Sequence, residues 1–408
     1  MNREQDLSMN FLRAIKNIEN IFRSNTVLAR ALIDKMNIFA RDLVERFDEN
    51  TKIKIMNFCG THEWTVTHFG IRSLVPKSIE LVAGPGCPVC VTPSMYIEKA
   101  VELALDDVVV YTYGDTYRLR LLKPVRGASS LSEARALGAS VKIVTSLVEA
   151  VIDSKTHGKD SLFIGIGFET IASGYAKLIL NKALPKNLKF MSLVKLTPPA
   201  MIYTIEVHRE ENPIKGIIAP GHVSTIIGGK AWRYVSDVLG IPIVVSGFEP
   251  IDVLASIAEI LKQLTRGEAR TVIEYTRAVT WEGDKVAQKM IADVYDIVDD
   301  VWRGIGIIPK SGLRLKDRFK VYDAFTEYGV EDAGSVVEEH DLVPGCRCGD
   351  IVLGRAVPTQ CPLFMKSCTP SRPIGPCMVS IEGTCAIWAR FGVGGIADDI
   401  AKDLGLYI

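Results

Sequence analysis

Apolar runs alternate with helix-like segments along most of this chain. Eight short runs rich in Val and Ile predict strands: IKIMNF, IELVAG, DVVVYTY, VKIV, LFIGIGF, KFMSLVKL, KGIIAPG and PIVVSGF. Amphipathic stretches such as PSMYIEKAVELAL and TIIGGKAWRYVSDVLG separate most of them and predict helices. Because the strands are apolar along their whole length, the pattern indicates parallel sheets covered by helices on both faces.

The flanks of this alternating region have a different character. Over residues 9–47, apolar residues recur at three- and four-residue steps, which predicts two helices. After residue 265 a helical stretch is expected through IADVYDIVDDVWRG, and beyond residue 340 the chain is rich in Cys, Pro and Gly. The alternation itself forms two similar halves, separated by the polar segment DSKTHGKDS.

These changes predict four segments in a chain of 408 residues. They are a helical N-terminal extension (1–50), an α/β domain with the CGTHE and CPVC motifs (51–155), a second α/β domain (156–265) and a C-terminal helical, metal-dependent domain (266–408). The fold class is α/β, with two doubly wound, Rossmann-like parallel-sheet domains that flank a cleft.

Charge and composition exclude several classes of protein. The 48 basic residues balance 48 acidic ones, which argues against a dedicated nucleic-acid binder. The polar start MNREQDLSMN predicts no secretory signal, and no apolar run reaches the ~18–20 residues that span a bilayer. We therefore expect a soluble cytoplasmic protein, in which nine cysteines more often bind metal or do redox chemistry than form a disulfide frame.

Unusual motifs follow the predicted strands. Ligands of open parallel sheets bind beyond the carboxyl ends of the strands. CGTHE, GPGCPVC and YGD follow the first three strands, and GFET, PGHVST and GFEP follow later ones, so these ends are expected to converge on one cleft. The motifs supply four ionisable candidates for the cleft: Asp115, Glu169, His222 and Glu249. A single residue of this kind more often caps a helix than takes part in catalysis.

Cys59 is predicted to lie between a strand end and a helix N-terminus. Free amide groups and the helix dipole there favour the thiolate, which is both a nucleophile and a soft-metal ligand. His62 is a candidate proton relay or ligand, and Glu63 belongs to the same motif. The alternative interpretation is that Cys59 is a small buried apolar residue.

The remaining cysteines form two groups. Cys87 and Cys90 make a C-x-x-C motif that fits a redox disulfide, half of a zinc site or simple packing, and we favour the redox interpretation. The other six fall within 40 residues of the C-terminal part: Cys346, Cys348, Cys361, Cys368, Cys377 and Cys385. Four thiolates suit an iron–sulfur cluster or zinc, which leaves two over.

Together these motifs resemble the HypD family of hydrogenase maturation proteins. The resemblance covers about residues 50–390 and depends on NFCGTHE, GPGCPVCVTP, YGD, GFET, PGHVSTIIG, GFEP and the terminal cysteine array. It implies a scaffold for assembling the Fe(CN)2(CO) part of the [NiFe]-hydrogenase centre, rather than a conventional turnover enzyme. A small HypC-like chaperone would share the iron held by Cys59, and a HypE-like partner would deliver cyanide.

The resemblance also assigns the C-terminal cysteines. Cys346, Cys361, Cys368 and Cys385 become ligands of a [4Fe–4S] cluster, which makes the last segment an iron–sulfur domain. Cys348 and Cys377 become a redox pair beside the cluster, and the Cys87/Cys90 pair would exchange electrons with the Cys59 site.

Two other functions fit parts of the sequence. An iron–sulfur-dependent thiol–disulfide oxidoreductase acting on proteins would use the cluster and the C-x-x-C pair, but would leave CGTHE without a role. A zinc-stabilised module that binds a small metabolite between two lobes would also use the cleft.

Overall fold

The computed structural model describes residues 25–46, 52–209, 213–331 and 341–391. Its eleven strands are β1 (Ile53–Asn57), β2 (Ile79–Ala83), β3 (Val109–Thr112), β4 (Val141–Ile143), β5 (Ser161–Gly167), β6 (Leu188–Val194), β7 (Ile214–Pro220), β8 (Ile243–Ser246), β9 (Thr271–Ile273), β10 (Tyr295–Trp302) and β11 (Gly306–Leu315).

Helices connect most of these strands. They are α1 (Thr26–Arg46), α2 (Gly60–His68), α3 (Ile71–Leu74), α4 (Ser94–Leu105), α5 (Gly114–Tyr117), α6 (Leu131–Ala136), α7 (Leu147–His157), α8 (Glu169–Leu180), α9 (Thr197–Val207), α10 (Gly221–Ile227), α11 (Arg233–Asp237), α12 (Pro250–Arg266), α13 (Lys285–Val294), α14 (Ala324–Tyr328), α15 (Cys348–Val352), α16 (Pro376–Val379) and α17 (Thr384–Phe391). Short 3-10 turns occur at Gly229–Trp232, Asp317–Tyr322 and Pro358–Gln360.

The predicted α/β class with parallel sheets is confirmed. One sheet, sheet A, has the order β2-β1-β7-β8-β9, and the other, sheet B, has the order β4-β3-β5-β6. Every strand pair in both sheets is parallel. All eight predicted strands form, and the strands β1, β5 and β6 are buried along their whole length.

The two sheets divide the chain differently from the predicted halves 51–155 and 156–265. After β2 the chain leaves sheet A, builds all of sheet B from residues 109–194, and returns to sheet A at β7. In sheet A, β1 lies between β2 and β7 and pairs with both, so the sheet is complete only after the chain has returned from sheet B. The predicted boundary near residue 155 falls in the last turn of α7, and DSKTHGKDS leads from that turn to the first residue of β5 within sheet B.

Two local predictions need correction. The segment IADVYDIVDDVWRG is half helix and half strand: α13 ends at Val294, and β10 then pairs antiparallel with β11. Its apolar residues at three- and four-residue steps imitate a helix, but β-branched and aromatic side chains pair well in the hairpin. The stretch TIIGGKAWRYVSDVLG is interrupted at Gly228 and Gly229, because glycine in mid-helix is unfavourable.

Described segments on either side of the predicted α/β region pack onto the sheets. Helix α1 packs against α12 over sheet A, while the predicted helix before residue 25 lies outside the described residues. Residues 266–331 supply β9 and the β10–β11 hairpin, so the predicted C-terminal segment 266–408 does not pack as one unit in its described part. None of the described helices combines the length and the hydropathy needed to cross a lipid bilayer.

Candidate functional site

A cavity of ≈ 360 Å³ lies where the carboxyl ends of the two sheets face each other. Cys59 enters it from sheet A, after β1, and His222 after β7. Phe168, after β5, enters from sheet B, and Glu382 enters from the C-terminal segment. The predicted convergence of strand-end motifs from different parts of the chain therefore exists in the structure.

Cys59 occupies the predicted corner between β1 and α2, where it is the N-cap residue of the helix. The amides of Thr61 and His62 approach its half-buried sulfur, as expected at a helix N-terminus. Burial and the charge of Glu382 outweigh these amides and raise the pKa of Cys59 to about 11. The sequence-based expectation of a free thiolate is therefore wrong, because it counted the helix terminus and not the loss of solvation.

The C-x-x-C loop packs directly on Cys59. The Gly60 N–H donates to the Gly86 carbonyl oxygen at 3.2 Å, and a Cβ atom on Gly86 would lie 2.5 Å from the Cys59 Cα atom. Cys87 and Cys90 form a disulfide with their Cα atoms 5.3 Å apart. The pair can therefore bridge as expected, but it is buried (4% and 2% exposed) rather than presented to solvent.

Glu382 is a cleft residue that sequence reasoning missed. It lies against Gly60, beside Cys59, and its pKa is raised by partial burial and by the charge of Asp115. Asp115 does not line the cavity. Instead, its carboxylate accepts hydrogen bonds from the Ser380 hydroxyl (2.8 Å) and the Ile381 N–H (3.3 Å), and so holds the segment that carries Glu382. Glu382 belongs to the EGTC sequence of the terminal cysteine array, but it follows no strand and was therefore not selected as a cleft candidate.

His62 faces away from the cavity. It is fully buried, its Nε2 atom lies 2.9 Å from the Gly247 carbonyl oxygen, and its ring stacks on Phe248. Thr65 strengthens the same contact by donating to the Phe248 carbonyl oxygen at 2.7 Å. Burial lowers the pKa of His62 to about 4, so the ring is neutral near pH 7. Its position fits a structural clamp on the GFEP loop better than the predicted relay.

Glu63 is also structural in its contacts. Its buried carboxylate accepts hydrogen bonds from Asn57 (2.9 Å), from Arg72 (2.8 Å) and from the indole N–H of Trp388 (2.7 Å). Trp388 belongs to α17, the helix that also carries Cys385. Glu63 therefore ties the cysteine-rich segment to the helix that begins at Cys59.

The three remaining cleft candidates lie in different places, and only one of them lines the cavity. His222 lines the cavity and stacks on Phe248, with ring centroids 3.9 Å apart, and burial lowers its pKa. Glu169 lies behind the cavity wall and accepts a hydrogen bond from the Thr197 N–H at 2.7 Å. Glu249 is the N-cap residue immediately before α12, and its N–H donates to the Asp252 carboxylate at 3.1 Å.

The six C-terminal cysteines gather near the disulfide. None of them forms a disulfide, five are buried and Cys346 is half-buried. The buried five share one apolar cluster with Cys87 and Cys90. The Cys348 thiol is hydrogen-bonded to both Cys346 and Cys377, and these contacts raise the pKa of both partners.

These thiols fit an iron–sulfur cluster by donor type. A Cβ atom on Gly375 would lie 2.7 Å from the Cys346 sulfur and 2.8 Å from the Cys348 sulfur, so a glycine at this position leaves room for these two cysteine sulfurs. Within the described ranges, however, no three His, Cys, Asp or Glu side chains are placed to hold a metal ion. The donors are present and buried together, but they are not arranged as a ready-made cage.

Comparisons with known proteins agree on one family. A family model described as "HypD: Hydrogenase formation hypA family" matches residues 34–392. A putative hydrogenase expression/formation protein of Methanocaldococcus jannaschii is 40% identical over 372 residues, which cover 90% of this chain and 98% of that protein. The hydrogenase maturation factor HypD of Azotobacter vinelandii is 37% identical (86% and 94% covered), and that of Cupriavidus necator is 36% identical (84% and 90% covered).

The fold and the comparisons define a hydrogenase maturation factor built on two parallel α/β sheets. The chain belongs to the HypD family.

Proposed function

We propose that this chain is the scaffold on which the Fe(CN)2(CO) unit of the [NiFe]-hydrogenase centre is assembled, with Cys59 as the attachment point of the iron. One observation carries the proposal: the Cys59 thiol opens into a cavity of ≈ 360 Å³ that joins both sheets and the C-terminal segment. This volume is in the range of small-ligand sites. A soft thiolate is also a suitable ligand for iron.

A residue beside Cys59 would accept the proton of its thiol when iron binds. With a pKa of about 11 the free thiol holds its proton near neutral pH, and iron binding must release it. Glu382, whose charge contributes to this high pKa, is the group that we assign as proton acceptor. His222 also lines the cavity and would contact the bound unit. A HypC-like chaperone sharing the iron and a HypE-like cyanide donor are the partners that the family implies.

The cysteine-rich segment would supply reducing power. Cys346, Cys361, Cys368 and Cys385 would hold a [4Fe–4S] cluster, which transfers single electrons when bound. The Cys348 and Cys377 thiols are hydrogen-bonded to each other, and we assign them as the dithiol beside this cluster. Exchange of this dithiol with the Cys87–Cys90 disulfide would move two electrons and two protons, with no other reagent.

The alternative functions have less support. A thiol–disulfide oxidoreductase for protein substrates needs an accessible sulfur, and both sulfurs of the C-x-x-C pair are buried. A zinc-stabilised metabolite-binding module has no counterpart among the relatives described above, which are named as hydrogenase expression, formation or maturation proteins.

The test is Cys59→Ala in a host that lacks its own HypD protein but has the other maturation proteins. The variant is expected to lose hydrogenase activity and the Fe–CN and Fe–CO infrared bands, while retaining its iron–sulfur absorbance. Ser73→Ala removes one exposed side-chain atom outside the cavity and is the matched control, expected to behave like the wild type. Normal maturation by Cys59→Ala would refute the scaffold assignment.

A further inference from the structure

A second pocket lies directly behind the Cys59 cavity. Its volume is ≈ 560 Å³, and its walls are mainly apolar side chains from the α9 start, α13 and the β10–β11 hairpin: Leu196, Pro198, Pro199, Ile291, Ile297 and Leu313. The two cavities share one wall, because Glu169 lines the second pocket, Thr197 lines the first, and the two are hydrogen-bonded. Neither the Cys59 chemistry nor the cysteine array uses this pocket.

The buried polar side chains that line the second pocket carry little charge. Glu169 is 2% exposed, and burial raises its pKa to about 7, so it is partly neutral at physiological pH. Tyr295 also lines the pocket and is buried, and its hydroxyl has no hydrogen-bond partner among the described residues. Asp296 is exposed in the lining, and no described lining residue is basic. Such a lining disfavours phosphates and other anions.

We propose that this second pocket binds a small, uncharged and largely apolar ligand. Its volume falls within the ~300–1,000 Å³ of small-molecule sites. Ile297 is 62% exposed in the lining, and covering it and its apolar neighbours would release water from apolar surface. A ligand with one hydrogen-bond acceptor would also pair the buried Tyr295 hydroxyl if it reaches that depth.

Nile red, an uncharged apolar dye, is the probe for this proposal. Wild-type protein is expected to bind about one dye per chain, with saturable, blue-shifted emission. Ala292→Trp fills the pocket from its exposed rim and should weaken binding at least about tenfold. Ala136→Trp adds the same side chain on α6, outside the pocket, and should leave affinity unchanged. Thr170→Trp fills the Cys59 cavity instead and should also leave it unchanged.

Several outcomes would overturn the proposal. They are absence of saturable binding to the wild type, equal binding by Ala292→Trp, and loss of binding in Thr170→Trp, which would place the dye in the Cys59 cavity. Equal affinity for the anionic dye 8-anilinonaphthalene-1-sulfonate would also contradict an uncharged-ligand site. If Ala292→Trp does not fold, Ile297→Asp places a charge on an exposed lining residue and should give the same loss.

Discussion

Replacing Gly86 with alanine tests the contact between the disulfide loop and Cys59. An added Cβ atom would lie 2.5, 2.6 and 2.9 Å from the Cα, N and C atoms of Cys59. These are backbone atoms, which cannot rotate away as a flexible side chain would. Overpacking of this kind costs about 1–3 kcal/mol, equivalent to a factor of ~5–150 in the population of the native contact.

We expect Gly86→Ala to separate the loop from the corner between β1 and α2. The Cys59 thiol would then gain solvent, and its pKa would fall from about 11 towards the usual ~8.5 of a free thiol. The thiolate fraction at neutral pH would rise on the order of a hundredfold, and the alkylation rate would rise with it. Iodoacetamide labelling followed by mass spectrometry of the peptide containing Cys59 measures this rate.

Gly174→Ala is the matched control. Gly174 lies within α8, and an added Cβ atom there meets no atom within 4 Å. This substitution should stabilise the helix by up to about 1 kcal/mol and leave Cys59 labelling unchanged. If Gly86→Ala labels Cys59 no faster than the wild type and unfolds at the same urea concentration, the close packing of loop and thiol is refuted.

Two further predictions concern α2. Burial lowers the pKa of His62 to about 4, below its unfolded value of ~6.5. The stability from the neutral ring is therefore complete above about pH 6.5 and is lost, at up to about 1.4 kcal/mol per pH unit, as the pH falls towards 4. Urea unfolding measures the free energy of unfolding at pH 7 and at pH 5. Between these two pH values His62→Gln should lose less of this free energy than the wild type or the exposed control His68→Gln. Equal losses in all three proteins would contradict the prediction. Trp388→Phe removes the hydrogen bond to Glu63, which should cost about 1.5–3 kcal/mol and speed amide hydrogen exchange in α17; unchanged exchange would show that this bond does not hold the helix.

The local part of the fold could be predicted because it depends on short apolar runs. All eight expected strands form, and Cys59 caps the helix after β1. Strand pairing could not be predicted in the same way, because the partner of β1 on its second side is β7, about 160 residues away. No residue near β1 signals that pairing, and the division into two sequential halves consequently differs from the observed sheets.

The site was predictable at its strand-end motifs and not at its packing. The sequence indicates that Cys59 and His222 follow strands of a cleft, and both line the cavity. It does not indicate which side chains turn inward, so His62 and Glu169 were expected in the cleft and lie outside it. Glu382 could not be selected because its place beside Cys59 depends on how the C-terminal segment packs.

The interrupted path of sheet A has a consequence for the order of folding. Sheet B uses one continuous stretch, residues 109–194, so its contacts close short loops and can form early. The strands β1 and β2 must wait for β7, which leaves the ribosome long after them. During synthesis, Cys59 and the Cys87–Cys90 loop therefore precede the strand that completes their side of the cleft. In a ribosome-bound chain ending before residue 214, the β1 edge that pairs with β7 would still be unpaired, and the Cys59 cavity would close only in the last stage of folding.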